Sequence, residues 1–302
     1  MTIRIGINPL TWTNDDLPSL GASTPLSQCL SEGKLAGYAG FELGNKFPRE
    51  SDQLNQVLAE HELALISGWY SGKLLEHSVE DEIKAIEDHL QLLKQCGSTV
   101  MVYCEVTGCI HGEQNTPLSK RPTIAADAWQ DYGNRLSKVA NYCLSQGVQL
   151  AYHHHMGTIV ETSEEIDLLM ENTSESLGLL LDTGHLTYAG GDPIATFKKY
   201  QNRIVHVHLK DIRTEVLKDA QNRNLSFLDS VLNGVFTVPG DGDIDYLSLF
   251  IAIREAEYNG WLVVEAEQDP AIAEPLAYAK LGFNNIQRFA QKAGLNLTVP
   301  WA

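Results

Sequence analysis

No apolar run in the chain approaches the roughly 18 residues needed to cross a bilayer. The N-terminus, Met1 to Asn8, shows no basic segment followed by a long apolar stretch, so no signal peptide is visible. The five cysteines (Cys29, Cys96, Cys104, Cys109 and Cys143) form no CxxC pair and no zinc-finger spacing, which excludes a disulfide framework and a cysteine metal site. An odd count without a leader predicts reduced thiols in a soluble, cytoplasmic protein. Positive charge is scarce: 22 Lys and Arg stand against 39 Asp and Glu, a formal net charge of -17. That balance removes the electrostatic basis for binding nucleic acid or an anionic membrane surface. It favours cations in any carboxylate-lined cleft. There is no HExxH helix, and the first strand runs into Gly6-Ile7-Asn8-Pro9-Leu10-Thr11-Trp12, which lacks a glycine-rich phosphate fingerprint.

What is present is alternation. Short β-rich runs are expected at Ile3–Asn8, Gly40–Leu43, Leu63–Ser67, Thr99–Cys104, Val148–His153, Leu177–Leu181, Ile204–Leu209 and Trp261–Val264, each followed by a helical pattern. The helix after the third run has the clearest signals. Ser78 and Asp81 form a capping pair, Ile83, Ile86, Leu90 and Leu93 keep one face apolar, and Gly97 ends it. Thr162 and Glu165 cap a later helix in the same way. Runs such as Leu177 to Leu181 are apolar throughout, as parallel strands covered on both faces should be. Eight βα units in 302 residues are best satisfied by closure, which leaves no sheet edge. The reading is an α/β fold, a single (β/α)8 TIM barrel domain over residues 1–302. Two stretches, Val106–Pro122 and Asp211–Gly240, are read as irregular loops at the C-terminal mouth, long enough to form a lid.

A polar residue closing a barrel strand at its C-terminal end faces the mouth and belongs to the site rather than the scaffold. Those positions hold Asn8, Glu42, Trp69, Glu105, His153 to His155, Asp182 with His185, His206 with His208, and Glu265. So many ionisable groups around one axis need a compensating charge, which a divalent cation supplies. A mixed imidazole and carboxylate set suits manganese, cobalt, iron or zinc better than magnesium or calcium. Strand alternation sends His153 and His155 to one side and His154 to the other. His206 and His208 likewise share a face, and His208 lies nearer the mouth.

Three segments, Leu181-Asp182-Thr183-Gly184-His185, His206-Val207-His208-Leu209-Lys210-Asp211 and Gly260-Trp261-Leu262-Val263-Val264-Glu265, resemble strands six, seven and eight of the xylose isomerase-like barrels. The resemblance implies that Asp182, His208 and Glu265 bind a divalent metal. That family commonly adds a Glu from strand five. Here the strand ends in His153, so the fourth ligand is His153, His155, Glu105 or water. Within those barrels the chain resembles the myo-inosose dehydratase family. Gly6 to Trp12 with Asn14-Asp15-Asp16, Gly40-Phe41-Glu42-Leu43-Gly44, Tyr152-His153-His154-His155-Met156-Gly157-Thr158 and Gly240-Asp241-Gly242 carry that likeness. It implies a lyase that removes water from 2-keto-myo-inositol to give a trihydroxycyclohexanedione, with manganese or cobalt as cofactor and zinc compatible. Glutathione enters by resemblance alone.

Dehydration beside a ketone removes the α-proton and then a β-hydroxyl, and a metal stabilises the enediolate as a Lewis acid. His155 is the expected base or acid, with Glu105 as competitor. Lys210 and Arg213 are placed to neutralise developing negative charge, and His185, Asn8, Glu42 and Trp12 to contact substrate. The expected partner is a small polyol or keto-cyclitol; assembly into a homo-oligomer stays open. A metal-dependent keto-sugar isomerase or epimerase is the main alternative, and it would ordinarily need paired carboxylates. A nuclease is opposed by the charge, and a non-catalytic sugar-binding barrel would bind the inosose without consuming it.

Overall fold

The structure, a computed structural model, describes residues 2–298, so the expected domain limits at Met1 and at 299–302 lie outside the described residues. Seven strands lead into the barrel: β1 (Ile3–Ile7), β2 (Gly40–Leu43), β3 (Ala64–Gly72), β4 (Val100–Glu105), β5 (Gln149–His153), β6 (Gly178–Asp182) and β7 (Ile204–Leu209). Two short strands follow, β8 (Asp211–Ile212) and β9 (Phe236–Thr237), and β10 (Gly260–Val264) closes the circle against β1. The eight barrel strands are parallel in the order β1-β10-β7-β6-β5-β4-β3-β2, as expected of a TIM barrel.

Helices α1 (Leu26–Ala36), α2 (Ser51–Glu60), α3 (Val79–Gln95), α4 (Trp129–Ser145) and α5 (Ser163–Asn172) occupy the first half of the chain. The Ser78 side chain accepts from the Asp81 N–H to start α3, and Thr162 with Glu165 forms a full capping box on α5. Trp129, Leu136, Val139 and Cys143 of α4 are buried on one face. The second half holds α6 (Thr183–Tyr188), α7 (Pro193–Tyr200), α8 (Thr214–Asn222), α9 (Phe227–Leu232), α10 (Tyr246–Glu255) and α11 (Pro275–Ala293). The main core lies between strands and helices, while the barrel interior is filled by small clusters such as Val102, Ala151 and Leu180. No described helix is long and apolar enough to cross a membrane.

Two expectations are corrected. The third strand runs to Gly72 rather than stopping near Ser67, so Trp69 lies within it. The stretch 211–240 is not irregular: it contains β8, α8, α9 and β9, with β8 and β9 paired antiparallel. Ser226 caps α9 by accepting from the Asp229 N–H, a local signal that the surrounding polar residues obscured.

Asp211 braces this segment. Its Oδ1 accepts from the N–H groups of Ile212 and Ile244 at 2.8 and 3.0 Å, and its Oδ2 from those of Gly240 and Gly242 at 2.7 and 3.1 Å. A Cβ on Gly242 would sit 2.5 Å from that carboxylate, so only glycine allows the approach. Asp211→Ala leaves those donors without their acceptor, and we expect a loss of about 3 kcal/mol in urea unfolding. A loss below about 1 kcal/mol would mean that water replaces the carboxylate.

Candidate metal centre and cavity

Barrel register brings four ligand-type side chains to one point. Asp182 ends β6 and is paired across the ladder with His208 of β7. His153 ends β5, and Glu265 follows the last residue of β10. One donor atom from each lies within 4.8 Å of the others, and all four residues are buried.

Local hydrogen bonds aim these donors. His153 Nδ1 lies 2.7 Å from the His154 carbonyl, which assigns the ring proton to Nδ1 and leaves the Nε2 lone pair 3.8 Å from Asp182 Oδ2. Asp182 Oδ1 accepts from the His185 N–H at 2.8 Å as the cap of α6, while Oδ2 is buried with no hydrogen-bond partner. His208 Nε2 donates to Glu42 Oε1 at 3.1 Å, which directs Nδ1 toward Asp182 Oδ2 at 3.5 Å and Glu265 Oε2 at 2.8 Å. That Nδ1 is also without an aligned hydrogen bond. Two buried donors that face one point and satisfy nothing there fit a bound cation.

The charges agree with this reading. Burial, reinforced by His208, pushes the His153 imidazole down to about 3, so it is neutral and free to ligate. Burial opposes the ionised forms of Asp182 and Glu265. Lys210 and His208 outweigh it and hold both carboxyls below the usual range. His208 is the exception: burial opposes its charged form, but the carboxylates of Glu265 and Glu42 override it and raise this imidazole, so a cation ligated at Nδ1 would have to displace the proton that these carboxylates otherwise hold there.

Behind His208, Glu42 Oε1 accepts from Ser67 Oγ at 2.6 Å and from His206 Nε2 at 2.8 Å, and its Oε2 accepts from Asn8 Nδ2 at 2.7 Å. This is a carboxylate that orients a ligating imidazole, and His206 is packed beneath it.

Above the cluster opens a cavity of about 270 Å³ whose wall includes Asn8, Glu42, Trp69, His111, His155 and Glu267. His208 and Glu265 also reach it. His155 Nδ1 lies 2.8 Å from the Met156 carbonyl, which leaves Nε2 as its free lone pair. Of the expected site residues, Lys210 and His185 come to the cluster but not to the cavity wall. Lys210 is fully buried, with Nζ 2.9 Å from His185 Nε2, 2.7 Å from Glu265 Oε1 and 2.5 Å from Glu267 Oε2. It is an internal cation among carboxylates, so the expectation that it meets charge on the substrate is corrected.

Glu105, Trp12 and Arg213 are not brought to the cavity. Trp12 follows a 3-10 turn at Pro9–Thr11 that turns it into the core, where its Nε1 donates to Glu32. Arg213 donates to the Gly234 and Phe236 carbonyls and pairs with Asp241, tying β8 to β9. Glu105 is buried at the end of β4, accepting from the Thr107 N–H at 3.0 Å and the Leu75 N–H at 3.3 Å. We therefore expect Glu105→Gln to lower stability by about 1–2 kcal/mol. Its turnover should stay within about threefold of wild type; a hundredfold loss of kcat in a folded variant would return Glu105 to the site.

Glu267, His111 and Asp16 were not foreseen as site residues. Burial raises the Glu267 carboxyl to about 7 against the opposing effect of Lys210. Glu267 lies just past a strand end, two residues beyond Glu265. His111 sits on the loop between β4 and α4, and only the folded chain brings it to the mouth.

The family profile described as "Xylose isomerase-like TIM barrel" matches residues 30–289. The rhizopine catabolism protein MocC of Rhizobium meliloti is 51% identical over 99% of this chain and 92% of its own length. An inosose dehydratase of Clostridium tetani is 46% identical over 92% of this chain and 94% of its own. A solved structure described as IOLI protein with a binding zinc atom has the same fold, with a TM-score of 0.65 at 16% identity, covering 96% of this chain and 98% of that one. The eight-stranded barrel, the ligand cluster at its mouth and these likenesses converge: the chain belongs to the xylose isomerase-like TIM barrel family and stands within it beside the inosose dehydratases.

Proposed function

We infer that the protein is a metal-dependent hydro-lyase that dehydrates 2-keto-myo-inositol to a trihydroxycyclohexane-1,2-dione, with residues 1–302 forming one barrel domain. The observation that carries this reading is the convergence of His153, Asp182, His208 and Glu265 beneath a cavity with His155 on its wall. The inosose dehydratase relatives support the substrate, and the zinc named for the IOLI neighbour supports a divalent metal. The mixed nitrogen and oxygen donor set suits manganese or cobalt, and accommodates zinc.

His153, Asp182, His208 and Glu265 would hold a divalent cation, which when bound would supply Lewis acidity to the substrate carbonyl. The protein's own groups do the rest. Asn8, whose Nδ2 bridges Glu42 and Glu265 at 2.7 and 3.1 Å, fixes the carboxylate facing the substrate. Trp69 presents an aromatic wall whose ring centre is 5.5 Å from those of both His153 and His155, a surface for the apolar C–H face of a cyclitol. His155, kept neutral by burial and by His111, offers Nε2 to take the proton α to the carbonyl. His185 and Lys210 lie buried behind the wall, where the Lys210 ammonium offsets the Glu265 and Glu267 carboxylates.

Incubation with 2-keto-myo-inositol tests this. The expected product is the enolised dione, seen by its ultraviolet absorbance and by mass. A second inosose or keto-sugar of unchanged mass would establish an epimerase or isomerase instead.

A further inference from the structure

The base His155 accounts for one of two proton transfers, and expulsion of a hydroxyl at neutral pH needs an acid as well. His111 has the position for it. It lines the same cavity, and its ring centre lies 5.0 Å from that of His155 and 6.2 Å from that of Trp69. Its Nε2 is 3.5 Å from Asp16 Oδ1, while its Nδ1 is buried with no hydrogen-bond partner. Burial opposes a charged His111. The neighbouring Asp16 carboxylate, with Cys109 beside it, outweighs it and raises the imidazole to about 10, so the ring carries a proton at neutral pH. Cys109 belongs to the same loop, Asp16 to the segment before α1 and His155 to the turn just after β5, and Asp15, Arg49 and Glu267 are further charged groups on the wall of the same cavity.

Substrate stereochemistry gives this neighbourhood meaning. In 2-keto-myo-inositol the hydroxyls are all equatorial, so adjacent hydroxyls are trans. The hydrogen on the α-carbon and the hydroxyl on the β-carbon therefore lie on the same face of the ring. One face of the cavity must then receive a proton and deliver one, which two adjacent imidazoles can do.

We propose that His111, held by Asp16, is the acid that protonates the departing β-hydroxyl in a same-face elimination, with His155 as the base. The proposal rests on the dehydratase reading. His155 Nε2 takes the α-proton, and the C–H electron pair enters the enediolate. That pair forms the α–β double bond as the β C–O bond breaks. The departing oxygen takes the His111 proton and leaves as water. His111 ends neutral and His155 protonated, and exchange with solvent resets both.

The test is His111→Gln in the metal-loaded protein, with Asp16→Asn as a second variant that leaves the ring in place. Metal content is expected to be unchanged, and dione formation to fall by about 10²–10³-fold for His111→Gln and about tenfold for Asp16→Asn. Exchange of the α-proton in deuterated water should persist in both. An analogue carrying fluoride in place of the β-hydroxyl, which leaves without a proton, should recover most of the lost rate. If exchange and dione formation fall in parallel and fluoride brings no recovery, His111 only shapes the cavity and the proposal is overturned. Dione formation at the wild-type rate overturns it equally. A wild-type protein that forms no dione removes the underlying dehydratase reading, and that is seen before any variant is made.

Discussion

Asp182→Ala is expected to keep less than about a tenth of the divalent metal bound by the wild-type protein and to lose turnover with it. Asp182 Oδ2 is the buried carboxylate oxygen that faces His153 Nε2 at 3.8 Å and His208 Nδ1 at 3.5 Å while accepting no hydrogen bond. The alanine variant also removes the cap on the His185 N–H, which costs about 1 kcal/mol. Asp182→Asn separates these effects, because an amide oxygen still caps α6 while the nitrogen directed at the cluster cannot ligate. Glu265→Gln is expected to behave as Asp182→Asn does. Glu42→Gln acts at one remove: it weakens the acceptor for His208 Nε2, and metal affinity should fall by about 10–100-fold without being abolished. Elemental analysis of each purified variant reads the outcome. A fully loaded, fully active Asp182→Asn protein would take that residue out of the site.

The second large effect falls on chemistry with the metal in place. His155→Gln is expected to lower kcat by about 10²–10⁴-fold while metal content and substrate affinity change little. The imidazole is held by its Nδ1 bond to the Met156 carbonyl and by edge contact with Phe227, ring centres 5.0 Å apart, two groups that take no part in the metal cluster. Loss of α-proton exchange in the same variant identifies the base. If exchange survives and only dione formation is lost, His155 would be the acid.

The ligand set was legible because barrel topology turns strand ends into site positions. Once β5, β6, β7 and β10 are recognised as parallel strands, their terminal polar residues must meet. The same rule misleads at Glu105, where two nearby backbone N–H groups capture the carboxylate. It misleads at Trp12, because the 3-10 turn after β1 carries that side chain into the core, where it donates to Glu32. His111 was illegible because a loop residue has no period, and its distance from His155 is set by how the whole segment after β4 folds over the mouth. Lys210 was recognised as part of the site, yet its depth could not be read from spacing. Its fully buried ammonium is explained only by the surrounding Glu265, Glu267 and Asp182 carboxylates.

The central claim is that the four-residue cluster loads the metal on which dehydration depends. Its most direct test strips the protein with a chelator, adds 2-keto-myo-inositol, and then titrates manganese or cobalt while following dione absorbance. The account predicts no dione before addition and a rate that rises to saturation near one metal per chain. Dione formation at full rate in the stripped, metal-free protein would contradict it.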